Sequence, residues 1–159
     1  MRRIKKILLI ALMSYGLLVF VSSPKVFSHC EIPCGIYDDP MRLNMMAEHI
    51  GTIEKSMRLI KELSAQDDKN YNQLVRWIEN KEKHADYLTD IVTQYFMTQR
   101  IKPVEQTDQE AYKQYTHKLT LLHKMMVDSM KCKQTTDLAN VEKLRVYLSE
   151  FRTAYQDNN

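Results

Sequence analysis

The stretch KVFSHCEIPCGIY, Lys25 to Tyr37, gathers side chains that bind metals. It holds two of the three cysteines, one of the five histidines and one of the three glycines. A cut after Ser28 would make His29 the first residue. Its α-amine and imidazole would then stand one position before Cys30, with Cys34 four residues further on. The peptide N–H between His29 and Cys30 can also lose its proton to a strongly polarising metal. The amine, that amide and the Cys30 thiolate form adjacent chelate rings. Cys34 must turn back to reach the same centre, and Pro33 and Gly35 suit a sharp turn. Thiolates with nitrogens favour later transition metals over Mg²⁺ or Ca²⁺. A planar set suits Ni(II) or Cu(II), and a tetrahedral one zinc. A Cys30–Cys34 disulfide closing a tight loop fits the same spacing in an oxidising compartment. Spacing alone leaves these alternatives open.

The segment before the stretch supplies the reason for a cut. Arg2, Arg3, Lys5 and Lys6 precede an apolar run from Ile7 to Val21, broken only by Ser14 and Gly16. Ser22, Ser23 and Pro24 follow, and Val26 and Ser28 fit the small-residue pattern of a signal peptidase site. The run is short against the ~20 residues a spanning helix needs. Residues 1–28 therefore read as a cleaved signal peptide, directing the protein to the periplasm or the extracellular space. The alternative is a membrane anchor through residues 7–21. All five basic residues of the leader are uncompensated, so the formal charge falls from +3 to about −2 without it. No basic stripe with interleaved aromatics remains, which argues against nucleic acid.

The rest of the chain must position the stretch, and it reads as all-α. Residues 40–159 form one domain with a modest core, after a hook over residues 29–39. Apolar residues recur at helical spacing in four segments. The first spans about Pro40 to Ser64, through Leu43, Met46, Ala47, Ile50, Ile53, Met57 and Ile60. The second spans about Lys69 to Arg100, with Tyr71, Leu74, Val75, Ile78, Ala85, Leu88, Val92, Tyr95 and Phe96 on one face. The third follows Thr107-Asp108-Gln109-Glu110, a capping box with Thr107 as cap, and ends near Lys131. The fourth carries Leu138 to Tyr155, capped by Thr135 or Thr136. Short loops between long helices predict an antiparallel four-helix bundle. The methionines read as core filling, and Cys132 as a small buried apolar residue. His49 and His84 sit among charged neighbours, and no paired Glu-x-x-His motif of a carboxylate-bridged metal bundle occurs.

His29-Cys30-Glu31-Ile32-Pro33-Cys34-Gly35-Ile36-Tyr37 closely resembles the N-terminal hook of the nickel-containing superoxide dismutases, His-Cys-x-x-Pro-Cys-Gly-x-Tyr. The match holds at His29, Cys30, Pro33, Cys34, Gly35 and Tyr37. The resemblance implies a hook followed by a four-helix bundle, the shape read above from periodicity. It implies an oxidoreductase that disproportionates superoxide to O2 and H2O2 by Ni(II)/Ni(III) cycling, with one nickel ion per subunit. It implies nickel held by the His29 amine, the Cys30 amide and the sulfurs of Cys30 and Cys34, with the His29 imidazole axial in the oxidised state. It also implies a homohexamer and a precursor inactive until its leader is removed, here by signal peptidase. Tyr37 falls near the open face of the metal. The family's carboxylate on the first helix falls at Met46, and its arginine on the second helix at His84, which makes His84 a catalytic candidate in a rebuilt surrounding. The competing reading is an exported helical bundle that binds or delivers nickel or copper without turnover. A disulfide-closed structural bundle is a third.

Overall fold

The computed structural model describes residues 34–156. The leader, its cleavage point, His29, Cys30 and Pro33 lie outside the described residues. Four helical rods make up the described chain: α1 (Asp39–Ser64), α2 (Tyr71–Asp90) continued by a π-helical segment (Ile91–Arg100), α3 (Gln109–Gln134) and α4 (Ala139–Gln156). Connections are short, so neighbouring rods run antiparallel. Each rod packs on its neighbours in the chain, and α1 closes the ring against α4. This is the predicted four-helix bundle.

Local chemistry explains where the rods begin. Asp38 caps α1 by accepting from the Met41 N–H at 3.0 Å, and Pro40 follows in the first turn, where its missing donor costs nothing. Asn70 caps α2 through the Gln73 N–H. At α3 the cap is Asp108, which accepts from Ala111 N–H, and not Thr107. Both residues cap well, and the helix starts one residue later than the capping box predicts. That shift puts Ala111, not Glu110, at the position that would reciprocate. Asp137, not Thr135 or Thr136, accepts from the first N–H of α4, while the Thr135 hydroxyl accepts from Asp137 N–H.

The core follows the apolar stripes. Leu43, Met46, Ile50, Ile53 and Met57 of α1 face Ala85, Leu88 and Val92, with Leu121, Leu122 and Met125 of α3 and Val141, Leu144 and Phe151 of α4. Phe96, Phe151 and Tyr155 meet edge to face or stacked, at 5.0 to 5.5 Å between ring centres. Met46, Met57 and Met125 are fully buried as expected, whereas Met41 and Met130 are exposed. Cys132 is buried, and burial pushes its thiol up to about 11. Lys81 is also buried. Its ammonium donates to the carbonyls of Lys133 (2.6 Å) and Thr135 (3.5 Å), where α3 runs out of internal donors.

Two parts of the second stripe depart from the reading of one apolar α-helix. Tyr71, Val75 and Ile78 are exposed, so the first two turns of α2 project past the core. The other end is wound differently. Ile91–Arg100 is a π-helix, wound with backbone bonds five residues back, and its exit shows that step in the Ile101 N–H donating to Phe96 O at 2.8 Å. The side chains of Thr98 and Gln99 also donate to carbonyls five residues back, Thr93 O and Gln94 O. This form is rare and often found beside functional sites.

Candidate metal centre and its anchor

The hook enters the described chain at Cys34, which is exposed. Gly35 follows with φ +77°, a left-handed conformation that side chains resist. Nothing among the described atoms would crowd a Cβ there. The glycine is required by backbone sign, then, and not by a close approach of chain. It turns the backbone directly after the second cysteine.

Tyr37 sits at the exit of the hook and is held from two sides. Its ring meets Tyr95 edge to face at 5.9 Å, and the Arg100 guanidinium lies over it at 4.4 Å. Arg100 is fixed in turn by Asp39, two residues beyond Tyr37. Asp39 Oδ1 accepts from Arg100 Nε at 2.8 Å and from the Tyr95 hydroxyl at 2.5 Å. Asp39 Oδ2 accepts from Arg100 Nη2 at 2.6 Å and from the Tyr155 hydroxyl at 2.8 Å. Partial burial raises the Asp39 pKa. The hydrogen bonds from Arg100, Tyr95 and Tyr155, with the charge of Arg100, outweigh it and leave the carboxyl below its usual range. Burial and the bond to Asp39 push the Tyr95 phenol up. One carboxylate therefore ties the start of α1, the π segment and the end of α4 to the residue that closes the hook.

Tyr95 and Tyr155 lie on the apolar stripes read from the sequence, and Arg100 entered that reading only as the end of its helix. The missing signal is the winding. In an α-helix of 3.6 residues per turn, positions 95 and 100 point about 140° apart. In the π segment, residues five apart lie one turn above each other, so both reach Asp39.

His84 is placed elsewhere. Its Nδ1 lies 3.0 Å from Nδ1 of His49, and Tyr87 packs on both rings. Burial lowers the pKa of each, helped by the mutual charge at His49 and by Lys83 at His84. At neutral pH one ring donates and the other accepts. His84 is eleven residues before Tyr95, about 16 Å along the rod at 1.5 Å per residue, so the described contacts bring it to His49 and not to Tyr37. Met46, to which the resemblance assigned the place of a helix carboxylate, is buried in the core.

Of the hook donors, only Cys34 is among the described residues, and no three His, Cys, Asp or Glu side chains converge as metal ligands there. The exposed Cys34, followed by a turn that glycine takes readily, presents a soft donor to a later transition metal.

A family profile described as nickel-containing superoxide dismutase matches residues 24–159. The chain belongs to this family. The match takes in the whole hook and all four helices. Among curated proteins, the superoxide dismutase [Ni] of Streptomyces seoulensis is 26% identical over 136 residues, covering 83% of this chain and 88% of that protein. No solved structure matches significantly.

Proposed function

We propose that this nickel-containing superoxide dismutase works at its mature N-terminus, with His29, Cys30 and Cys34 holding the metal. The observation that carries the reading is a family match that includes the hook as well as the bundle. The net reaction takes two superoxide anions and two protons to one O2 and one H2O2. Nickel bound at the hook supplies the one-electron chemistry by alternating between Ni(II) and Ni(III).

The protein must make the higher state accessible. Two anionic sulfurs, Cys30 and Cys34, with a deprotonated Cys30 amide would hold the metal and donate the electron density that favours its higher state. The His29 imidazole would be a further nitrogen donor to it. Its α-amine and the thiols are mostly protonated near pH 7, with ordinary pKa values of about 8 and 8.5. Metal uptake therefore releases protons and strengthens as pH rises. The Tyr37 ring is held by Tyr95 and Arg100. Held beside the bound metal, its hydroxyl would order water and limit access to small anions.

Signal peptidase makes the site by freeing His29, and the protein acts in the periplasm or outside the cell. The subunits assemble as a homohexamer. The exposed stripe of Tyr71, Val75 and Ile78 on α2 supports burial against another copy.

The test is mass analysis of the native protein with metal determination. A first residue at His29, one nickel per chain and superoxide-dependent turnover are expected. Cys34→Ser should abolish turnover. An active chain beginning upstream of His29 defeats the reading. Stoichiometric nickel without turnover leaves a metal-binding protein instead.

A further inference from the structure

Arg42 lies one turn into α1, and its N–H donates to the carbonyl of Asp38 at 3.1 Å. Its guanidinium stands over the Tyr95 ring at 5.1 Å. Tyr37 meets that same ring at 5.9 Å. Arg42 Nη1 has only the thioether of Met45, at 3.8 Å, a weak acceptor. Its Nε–H is buried with no acceptor. The carboxylates around it are committed elsewhere. Asp39 is taken by Arg100 and two tyrosines. Asp38 caps the helix, where the positive helix end offsets its charge. Arg152, on the α4 side of α1, is held by Asn44. Of the described ion pairs, none includes Arg42.

The balance at the hook exit is then decided by Arg42. Asp39 and Arg100 cancel as a pair, the helix end offsets Asp38, and Arg42 adds a positive charge with no carboxylate of its own among the described ion pairs. We propose that Arg42 steers the superoxide anion to the open face beside Tyr37, its guanidinium supplying the positive field that no described carboxylate quenches. This rests on the reading that superoxide reacts at the hook. Tyr95 serves as a shared platform: one face carries the cation and its edge meets the tyrosine that limits access. Arg42 need not touch the metal. A cation at a cleft mouth raises the encounter rate of an anionic substrate, and added salt screens that gain.

The test is kcat/KM against ionic strength for nickel-loaded wild type, Arg42→Gln and Arg42→Lys, with nickel content and the metal's absorption and spin-resonance spectra recorded for each. Wild type is expected to slow as salt rises. Arg42→Gln is expected to keep its nickel and spectra, lose roughly 5- to 10-fold in kcat/KM at low salt, at the low end for steering, and show a flat or reversed salt dependence. Arg42→Lys should restore the wild-type slope. A wild-type rate that rises with salt overturns the proposal whether or not the variants fold. So does an Arg42→Gln slope equal to wild type, or an equal loss in Gln and Lys variants, which marks packing on Tyr95. Nickel-loaded wild type without any dismutase activity fails the underlying function instead.

Discussion

Replacing Asp39 with asparagine should loosen the joint between hook and bundle. The carboxylate is only 16% exposed and the Arg100 side chain 24%. An asparagine oxygen at the Oδ1 position keeps the bonds from Tyr95 and Arg100 Nε. Its NH2 at the Oδ2 position then faces Arg100 Nη2, which cannot accept, and that bond is lost, while the Tyr155 hydroxyl can turn to accept from it. Hydrogen bonds to a charged group contribute about 1.5–3 kcal/mol each. The bonds that remain lose their charged acceptor as well, and partial exposure of the site screens that further loss. A cost of about 2–4 kcal/mol follows. At roughly 4 °C per kcal/mol for a domain of this size, the midpoint should fall by about 10 °C. The pH dependence has a definite sign. The folded carboxyl is held below its ordinary value, so its contribution is complete above about pH 4 and is lost as pH falls through the folded value. Thermal unfolding followed by circular dichroism should show the full gap between wild type and Asp39→Asn at pH 7, narrowing below pH 4. Midpoints within 2 °C at pH 7, or a gap that does not change in acid, would refute the reasoning.

Gly35→Ala should destabilise the described turn by about 1–2 kcal/mol because φ is positive there, and nickel should dissociate faster from the variant under a chelator challenge; unchanged retention would remove the turn from the metal's support. The His49–His84 pair should make stability fall in mild acid. Both rings have lowered pKa values in the fold, so the unfolded chain binds more protons and stability declines as pH drops below the ordinary value of about 6.5. The double variant His49→Gln with His84→Gln should flatten the unfolding midpoint between pH 7 and 5, and a variant as pH-sensitive as wild type in that window would place the dependence elsewhere.

The bundle was legible because α1, α3 and α4 keep apolar residues at steps of three and four, and Leu43, Met46, Ile50, Ile53 and Met57 are buried in that register, Ala47 alone of the first stripe being exposed. The family was legible because its motif sits within nine consecutive residues. What escaped reading depends on three-dimensional meeting of residues far apart in the chain. Asp39, Arg100 and Tyr155 lie 61 and 116 residues apart as partners, and no local pattern announces them. His49 and His84 each look like an isolated polar residue until α1 and α2 pack. Tyr71, Val75 and Ile78 have core spacing, yet they lie where the partner rods do not cover them. Periodicity reports a face, and the neighbours decide whether it is buried.

The π segment shows why the anchor takes its form. A metal-binding hook of the proposed kind, freed at the chain end, would gain its order from what fixes its last residues. Here α1 must begin immediately after Tyr37, because Asp38 is its cap, so the fixing group has to come from the first turn itself. Asp39 is in that turn and is partly buried, so its charge needs a cation and donors from other rods. One α-helical turn of α2 would present Tyr95 or Arg100 to it, but not both. Winding the rod with an extra residue per turn brings the phenol and the guanidinium onto one oxygen, Oδ1. The same guanidinium then covers the Tyr37 ring. The rare helix form thus sits where one position has to serve fold and site together. In an engineered deletion of Thr98 the arginine would follow Tyr95 by four residues, a spacing that shares a face in an α-helix, so the deletion should remove the π turn yet keep both groups on Asp39; a thermal midpoint as low as that of Asp39→Asn would show instead that the wider winding itself is needed.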